Sequence, residues 1–450
     1  MSAQADTREQ LPAGLPPACE LPRARQTTRW MARPLGFLRA LQKEHGDLFT
    51  LHLLREEPWV MVADPELVER IFRAPADVLH GGEPKRILEA VVGPHSVLLL
   101  DESRHMRQRR LLLPPFHGER MARYGETMRA AAEAELERWP LGVAAPSATH
   151  MRAITLEVIL RAVFGVTDGE ALEPLREALG RLLSFTAGDM RIVLVVLGEP
   201  ERLGEERAAG FREAMARTDE LVLAEIARRR GEAGVEQRED IMSLLLQARH
   251  EDGSPMSDAE LRDELVTLLI AGHETTAASL AWALERLVRS PEAMERAVAE
   301  AGEGGGPYIE ATIQETLRLR PVFPMVARAV KKPFELGDHT IPPGVTLMPS
   351  IALVHRRPDV YPDPDSFRPE RFLEKPPATY TWIPFGGGVR RCLGAGFALF
   401  EMRIVLTALL ARTEVRAAEP EPETAKRRII ALSPSRGGRV VLGPRSADRR

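Results

Sequence analysis

Apolar positions recur at helical spacing through most of this chain. Between residues 103 and 247, long Ala/Leu/Glu/Arg segments place apolar side chains every three or four positions, with breaks at Pro114-Pro115, Pro140, residues 198–200 and residues 231–234. This pattern predicts a succession of helices. Ser257-Asp258-Ala259-Glu260 forms a capping box that opens a run continuing to Val288, where Ser290-Pro291 stops it. At 1.5 Å per residue such a helix is about 48 Å long, enough to cross a whole domain. Strand-like runs at residues 48–54 and 59–63 predict a hairpin between a short helix at 34–44 and a second at 66–72, the latter capped by Asp64-Pro65. Residues 75–100 are irregular, residues 321–369 are dense in proline with a strand-like piece at 345–348, and residues 427–442 end the chain as hairpin material. The expected fold is mainly α with a smaller β region.

Composition narrows this picture. The 450 residues are 44% hydrophobic and 28% charged, with glycine and proline spread throughout, no long polar linker and no internal repeat. One large α-rich domain over residues 28–450, behind a flexible segment 1–27, is expected. A formal net charge of -4 gives no reason to expect nucleic acid, and no run is long and apolar enough to predict a membrane span. Residues 192–197 form the one apolar patch that raises a membrane-surface question, and a run that short reads more simply as core or as a pocket lid. Cys19 and Cys392 are the only cysteines, which favours a reducing, cytoplasmic setting.

The chemistry concentrates in Phe385-Gly386-Gly387-Gly388-Val389-Arg390-Arg391-Cys392-Leu393-Gly394. A thiolate that holds haem iron needs a lowered pKa, backbone N–H groups aimed at sulfur and room for the macrocycle. The three glycines let the chain bulge, and the apolar run 393–410 places Cys392 at a helix N-terminus, whose partial positive charge favours thiolate. Phe385, Gly388, Arg390, Cys392 and Gly394 occupy every fixed position of Phe-x-x-Gly-x-Arg-x-Cys-x-Gly, and on them the chain resembles the cytochrome P-450 family. That resemblance implies haem b with Cys392 as the metal ligand.

Further motifs resemble the same family in the expected order. Ala271-Gly272-His273-Glu274-Thr275-Thr276 lies midway along the long helix, a costly place for glycine and a hydroxyl unless a gap is needed. It resembles the oxygen-activation motif, by which Ala271 and Gly272 make space over the haem, Glu274 relays protons and Thr275 hydrogen-bonds dioxygen. Glu315-Thr316-Leu317-Arg318 with Arg371 resembles the family's Glu-x-x-Arg and its arginine partner, implying a buried triad beneath the cysteine loop. His105 and Arg109 stand one helical turn apart, and with Arg390 and Arg328 they match the residues the family uses for the haem propionates. Histidines 95, 117, 273 and 355 read as loop or core residues.

The resemblance implies a soluble bacterial-type monooxygenase that inserts one atom of O2 into a small apolar substrate by hydroxylation or epoxidation. A lipid, terpenoid, steroid or macrocyclic natural product would fit the apolar candidates Leu88, Val91, Val92, Leu268, Ala271, Phe323, Met325, Val326 and Leu432. Residues 96–121 resemble bacterial members acting on lipids or terpenoids. With no flavin, iron-sulfur or nucleotide motif in the chain, electrons are expected from a separate ferredoxin and its NAD(P)H-dependent reductase, docking near Arg107, Arg110 and Arg391 on a monomer. A peroxide-using haem-thiolate peroxygenase would lack the Glu274-Thr275 pair, and a non-catalytic haem sensor or carrier would have no need of it.

Overall fold

A computed structural model describes residues 11–116, 120–165, 169–188, 205–428 and 431–445. The apolar patch at 192–197 and His117 lie outside them. The capping box at Ser257 and Glu260 is formed, and from it one helix runs unbroken over Asp258–Leu287, about 45 Å by its 30 residues. Helices Ser147–Phe164, Glu205–Arg230, Pro307–Leu319 and Ala395–Arg412 surround it. Their apolar faces merge in one large core that includes Leu265, Leu280, Leu284, Leu160, Val163, Ile313, Leu317, Val405 and Leu409.

The smaller β region is a five-stranded sheet in the order Leu48–Leu51, Trp59–Val62, Thr346–Pro349, Arg328–Val330 and Leu79–His80. The expected hairpin pairs Phe49 with Met61, and a parallel pairing sets Val60 beside Leu347. Strand Arg439–Pro444 lies between Ala144–Pro146 and Thr413–Ala417, while Ala425–Arg428 and Ala431–Pro434 form a hairpin. Asp64 caps helix Pro65–Arg73 by accepting from the Glu66 and Leu67 N–H groups at 2.9 and 3.0 Å.

The segment expected to be flexible at residues 1–27 is tied down in much of its described part. Thr50 donates its N–H to the Pro17 carbonyl and accepts at its own carbonyl the N–H of Cys19, at 2.8 and 2.9 Å, and buried Gln26 donates to Leu21 at 2.7 Å. Backbone pairing of this kind is invisible to composition, which saw only a polar, proline-bearing stretch.

Side chains of the long helix clamp the irregular loop. Asp263 accepts the His95 N–H at 2.9 Å and faces the His95 ring at 3.0 Å; Glu264 accepts the Val97 N–H at 2.7 Å; Thr267 donates to Ser96 at 2.7 Å. Gly93 makes this approach possible, since a Cβ there would lie 2.0 Å from the Asp263 carboxylate at a φ of +79°.

Burial pushes Glu264 up to about 8, so it keeps its proton at neutral pH. The unfolded chain releases that proton near the ordinary 4.5. Its contribution to stability is therefore complete below that value and is lost as pH rises through about 8. Thermal midpoints measured from about pH 5 to about pH 9 should diverge in favour of Glu264→Gln as pH rises. Parallel curves would show that Glu264 does not titrate with unfolding.

Candidate active site

Helix Ala395–Arg412 begins at Gly394, and ahead of it the chain folds into a tight loop closed by the Cys392 N–H donating to the Phe385 carbonyl at 3.0 Å. Gly386 and Gly388 adopt φ values of +67° and +65°. A Cβ on Gly387 would meet the Phe72 ring at 2.3 Å, and one on Gly388 the Phe72 carbonyl oxygen at 2.0 Å. The loop thus rests its bare main chain on helix Pro65–Arg73.

The Cys392 side chain is accessible to solvent and yet stands among crowded protein atoms. Burial pushes the thiol up, while the Gly394 N–H and the charges of Arg109 and Arg391 pull against it. Arg109 also donates to the Arg391 carbonyl at 2.8 Å, tying helix Glu102–Leu112 to the loop.

Beneath the loop sits a buried ion network. Arg318 donates to Glu315 through two nitrogens at 2.6 and 2.8 Å, with both side chains wholly buried, and Arg371 reaches the same carboxylate at 3.1 Å. Arg318 further donates to the carbonyls of His355, Pro364 and Ser366 at 2.8, 2.7 and 3.1 Å. His355, left among the loop or core residues in the sequence reading, joins this network to the loop. Burial and then Arg318 push it down to about 3, so the ring is neutral; it accepts the Ile383 N–H at 2.8 Å on Nε2 and turns Nδ1 to the Arg318 carbonyl at 3.2 Å.

Along the long helix, Ala271 is exposed and Thr275 partly so, between buried Leu269, His273 and Thr276. The Thr275 hydroxyl donates to the Ala271 carbonyl at 2.7 Å. Gly272 differs from expectation: a Cβ there would press on Ile159 at 3.1 Å, so this glycine makes room for helix Ser147–Phe164. Ala271 is the exposed one of the two. Glu274 accepts from Arg152 at 2.7 and 3.1 Å, and buried His273 meets the Thr155 hydroxyl at 2.9 Å. Neither Arg152 nor Thr155 belongs to a motif.

Four segments bring cations together. Arg328 stands on its strand over the Phe72 ring, and Arg390 donates to Asp101 at 2.5 Å and to the Leu100 carbonyl. Asp101 is itself held by the N–H groups of Gly81, Gly82 and Glu83 at 2.9, 2.9 and 3.0 Å. His105 is buried, and Lys85, which sequence reading missed, donates to the Gly81 carbonyl at 2.9 Å. Burial, then Arg328 and Arg390, push Lys85 down to about 7; burial, then Arg390 and Arg109, push His105 down to about 3. His105, Arg328 and Arg390 line one small cleft with Phe72 and Val389.

Of the apolar candidates, Val91 and Val92 are buried in a cluster with Leu99, Leu182, Phe211 and Met215, and Leu88 and Ile270 pack against it. Leu268 packs on the large core. Leu432 joins its N–H to the Val322 carbonyl at 2.7 Å. Phe323 and Val326 pack on the core of the five-stranded sheet, Val326 nearest Gly386. Met325 points elsewhere, packing with the cluster of Cys19, Trp30 and Phe37, because alternate residues of an extended stretch face opposite sides.

A cysteine loop at the head of a helix, a long helix crossing the body and a buried Glu-Arg network together define a haem-thiolate fold. The family model Cytochrome P450 matches residues 12–440, and the chain belongs to that family. It is 39% identical over 433 residues to cytochrome P450 135B1 of Mycobacterium tuberculosis, covering 95% of this chain and 91% of that one. To cytochrome P450 137 of the same organism it is 38% identical over 454 residues, covering 99% and 95%. The solved heme domain of cytochrome P450DA matches with a TM-score of 0.82 at 25% identity, over 96% of this chain and 98% of that one. Retinoic-acid-bound cyanobacterial CYP120A1 has the same fold, with a TM-score of 0.82 at 23% identity over 97% and 100%. This protein is therefore a haem-dependent monooxygenase, an oxidoreductase that uses dioxygen, an organic substrate and redox partners. Among the described residues no helix is long and apolar enough to cross a membrane.

Gly388→Ala should fail to keep haem through purification, because it combines a left-handed backbone with the Phe72 contact, a strain of about 1–3 kcal/mol before any clash. Gly396→Ala, with open space at its Cβ, should load normally. Haem per chain measured by absorbance checks both, and equal loading would show that the loop does not depend on its bare main chain.

Proposed function

We propose that Cys392 is the thiolate ligand of a haem b iron and that the open flank of the long helix at Ala271 and Thr275 borders the distal side of the same haem. The observation carrying this reading is a cysteine accessible to solvent yet crowded by protein atoms, at a helix start whose N–H and two guanidiniums favour thiolate. The residues present suit haem in two further respects. Lys85, Arg328 and Arg390 gather around Asp101 with Arg109 beside Arg390, and burial together with their like charges lowers the proton affinity of Lys85, Arg328 and Arg390, as a site for a group with two carboxylates requires. Gly81 admits the Arg390 side chain, which would lie 2.4 Å from a Cβ there, and so lets that cation reach the cluster.

When bound, haem supplies the activation of dioxygen, one atom entering the substrate and the other leaving as water with two protons and two electrons. This chain's residues do the rest. Ala271 leaves room, the Thr275 hydroxyl turns from the Ala271 carbonyl to hold a proton at the distal position, and the Glu274 carboxylate passes protons toward it. Glu315, Arg318 and Arg371 keep the loop in place. The apolar cluster of Val91, Val92 and Leu99 with Leu88 against it, together with Leu268, Phe323, Val326 and Leu432 from other parts of the fold, orients a lipid, terpenoid, steroid or macrocycle and excludes water. Electrons come from a ferredoxin reduced by an NAD(P)H-dependent reductase in the cytoplasm. It docks on the monomer near Arg107 and Arg391, both exposed, and Arg110, which here pairs with Glu251.

Haem-loaded protein should show the carbon-monoxide difference spectrum of a thiolate-ligated iron, and Cys392→His should abolish it; an unchanged spectrum would overturn the assignment. Optical titration with fatty acids, terpenoids and steroids identifies ligands that displace iron-bound water, and product from ferredoxin and NAD(P)H rather than from peroxide distinguishes monooxygenase from peroxygenase. Thr275→Ala should keep haem and ligand binding but divert most electrons to hydrogen peroxide. Unchanged coupling would remove Thr275 from the proton path.

A further inference from the structure

Helix Ser147–Phe164 grips the long helix at the very turn that carries the acid and the alcohol. Gly272 lets Ile159 approach a would-be Cβ position at 3.1 Å, Thr155 meets His273 at both its ring nitrogen and its carbonyl, at 2.9 and 3.1 Å, and Arg152 takes Glu274 with two nitrogens at 2.7 and 3.1 Å. Arg152 and Thr155 stand one helical turn apart and address adjacent residues of the partner helix. The ion pair is partly solvated, with side chains 24% and 21% exposed, so it lies between bulk water and the interior.

We propose that Arg152 is a positioning residue of the proton path, fixing the Glu274 carboxylate in one orientation between solvent and the distal space. This rests on the proton-relay reading of Glu274. A planar guanidinium meeting a carboxylate at two points fixes the rotation of that group as well as its place, which a single lysine ammonium cannot do. A carboxylate that rotated freely would still carry charge but would seldom present an oxygen along the line of transfer, and a small misplacement is costly to rate. His273 gives the turn a second anchor: buried and pushed down to about 4, first by burial, it stays neutral and holds Thr155 rather than competing for the Glu274 proton.

The test uses haem-loaded full-length protein supplied with NADPH, a plant-type ferredoxin and its reductase, without organic substrate, reading dioxygen consumption and its solvent deuterium isotope effect. Infrared difference spectra of carbon-13-glutamate-labelled protein, wild type minus Glu274→Gln, isolate the Glu274 carboxylate band. Arg152→Ala should slow dioxygen consumption about tenfold, raise the isotope effect and broaden the band, and Arg152→Lys should restore the rate only in part. Thr155→Val, which disturbs the same helix contact, should leave the band narrow. If Arg152→Ala matches wild type while Glu274→Gln is impaired, the proposal falls and the relay stands. If Glu274→Gln is itself unimpaired, both fall. Equal defects in Thr155→Val and Arg152→Ala, with the band unmoved in each, would make Arg152 a packing residue only.

Discussion

The fold under the cysteine loop depends on one wholly buried ion pair. Two charges with no water contact are tolerable only when each finds enough partners, and here Arg318 satisfies three backbone carbonyls while Glu315 also accepts from Arg371 and from the Arg368 N–H at 2.8 Å. Those carbonyls belong to the proline-dense stretch that has little regular structure of its own. The pair therefore serves as its organising centre, and neutral His355 extends that order to Ile383, two residues before the loop begins. Removing one partner would strand a buried charge, at about 3–5 kcal/mol.

The long helix plays a second integrating part. Its N-terminal third holds the irregular loop through Asp263, Glu264 and Thr267, its middle is gripped through Glu274 and His273, and its C-terminal third is core through Trp282, Leu284 and Leu287. In its middle, from Ala271 to Thr275, one flank stays open. A helix so thoroughly engaged elsewhere can keep a gap without collapsing into it.

Much of this was legible in the letters. The cysteine loop, capping box, Glu-x-x-Arg and hairpin are local patterns whose spacing carries their geometry, and each is formed as read. What escaped depended on partners far along the chain. Arg152 lies 122 residues from Glu274 with no motif of its own, and Lys85 sat in a loop whose conformation propensity could not supply. Gly272 was read correctly as a demand for space and attributed to the wrong side, because composition does not say which neighbour faces a given helical position. Met325 went astray in the same way, through the two-sided alternation of an extended strand. The described residues of the N-terminal segment are ordered by backbone pairing with Thr50, for which a sequence offers no local sign.

The convergence of Lys85, Arg109, Arg328 and Arg390 also bears on how the chain matures. These residues come from segments scattered over most of the sequence, and their like charges resist the last closure of the loops that carry them. A dianionic group arriving among them would turn that resistance into attraction, so cofactor insertion and final compaction become a single linked step. A cell short of haem would then hold this protein in a looser form, more open to its proteases, and its abundance would follow haem supply even with synthesis unchanged.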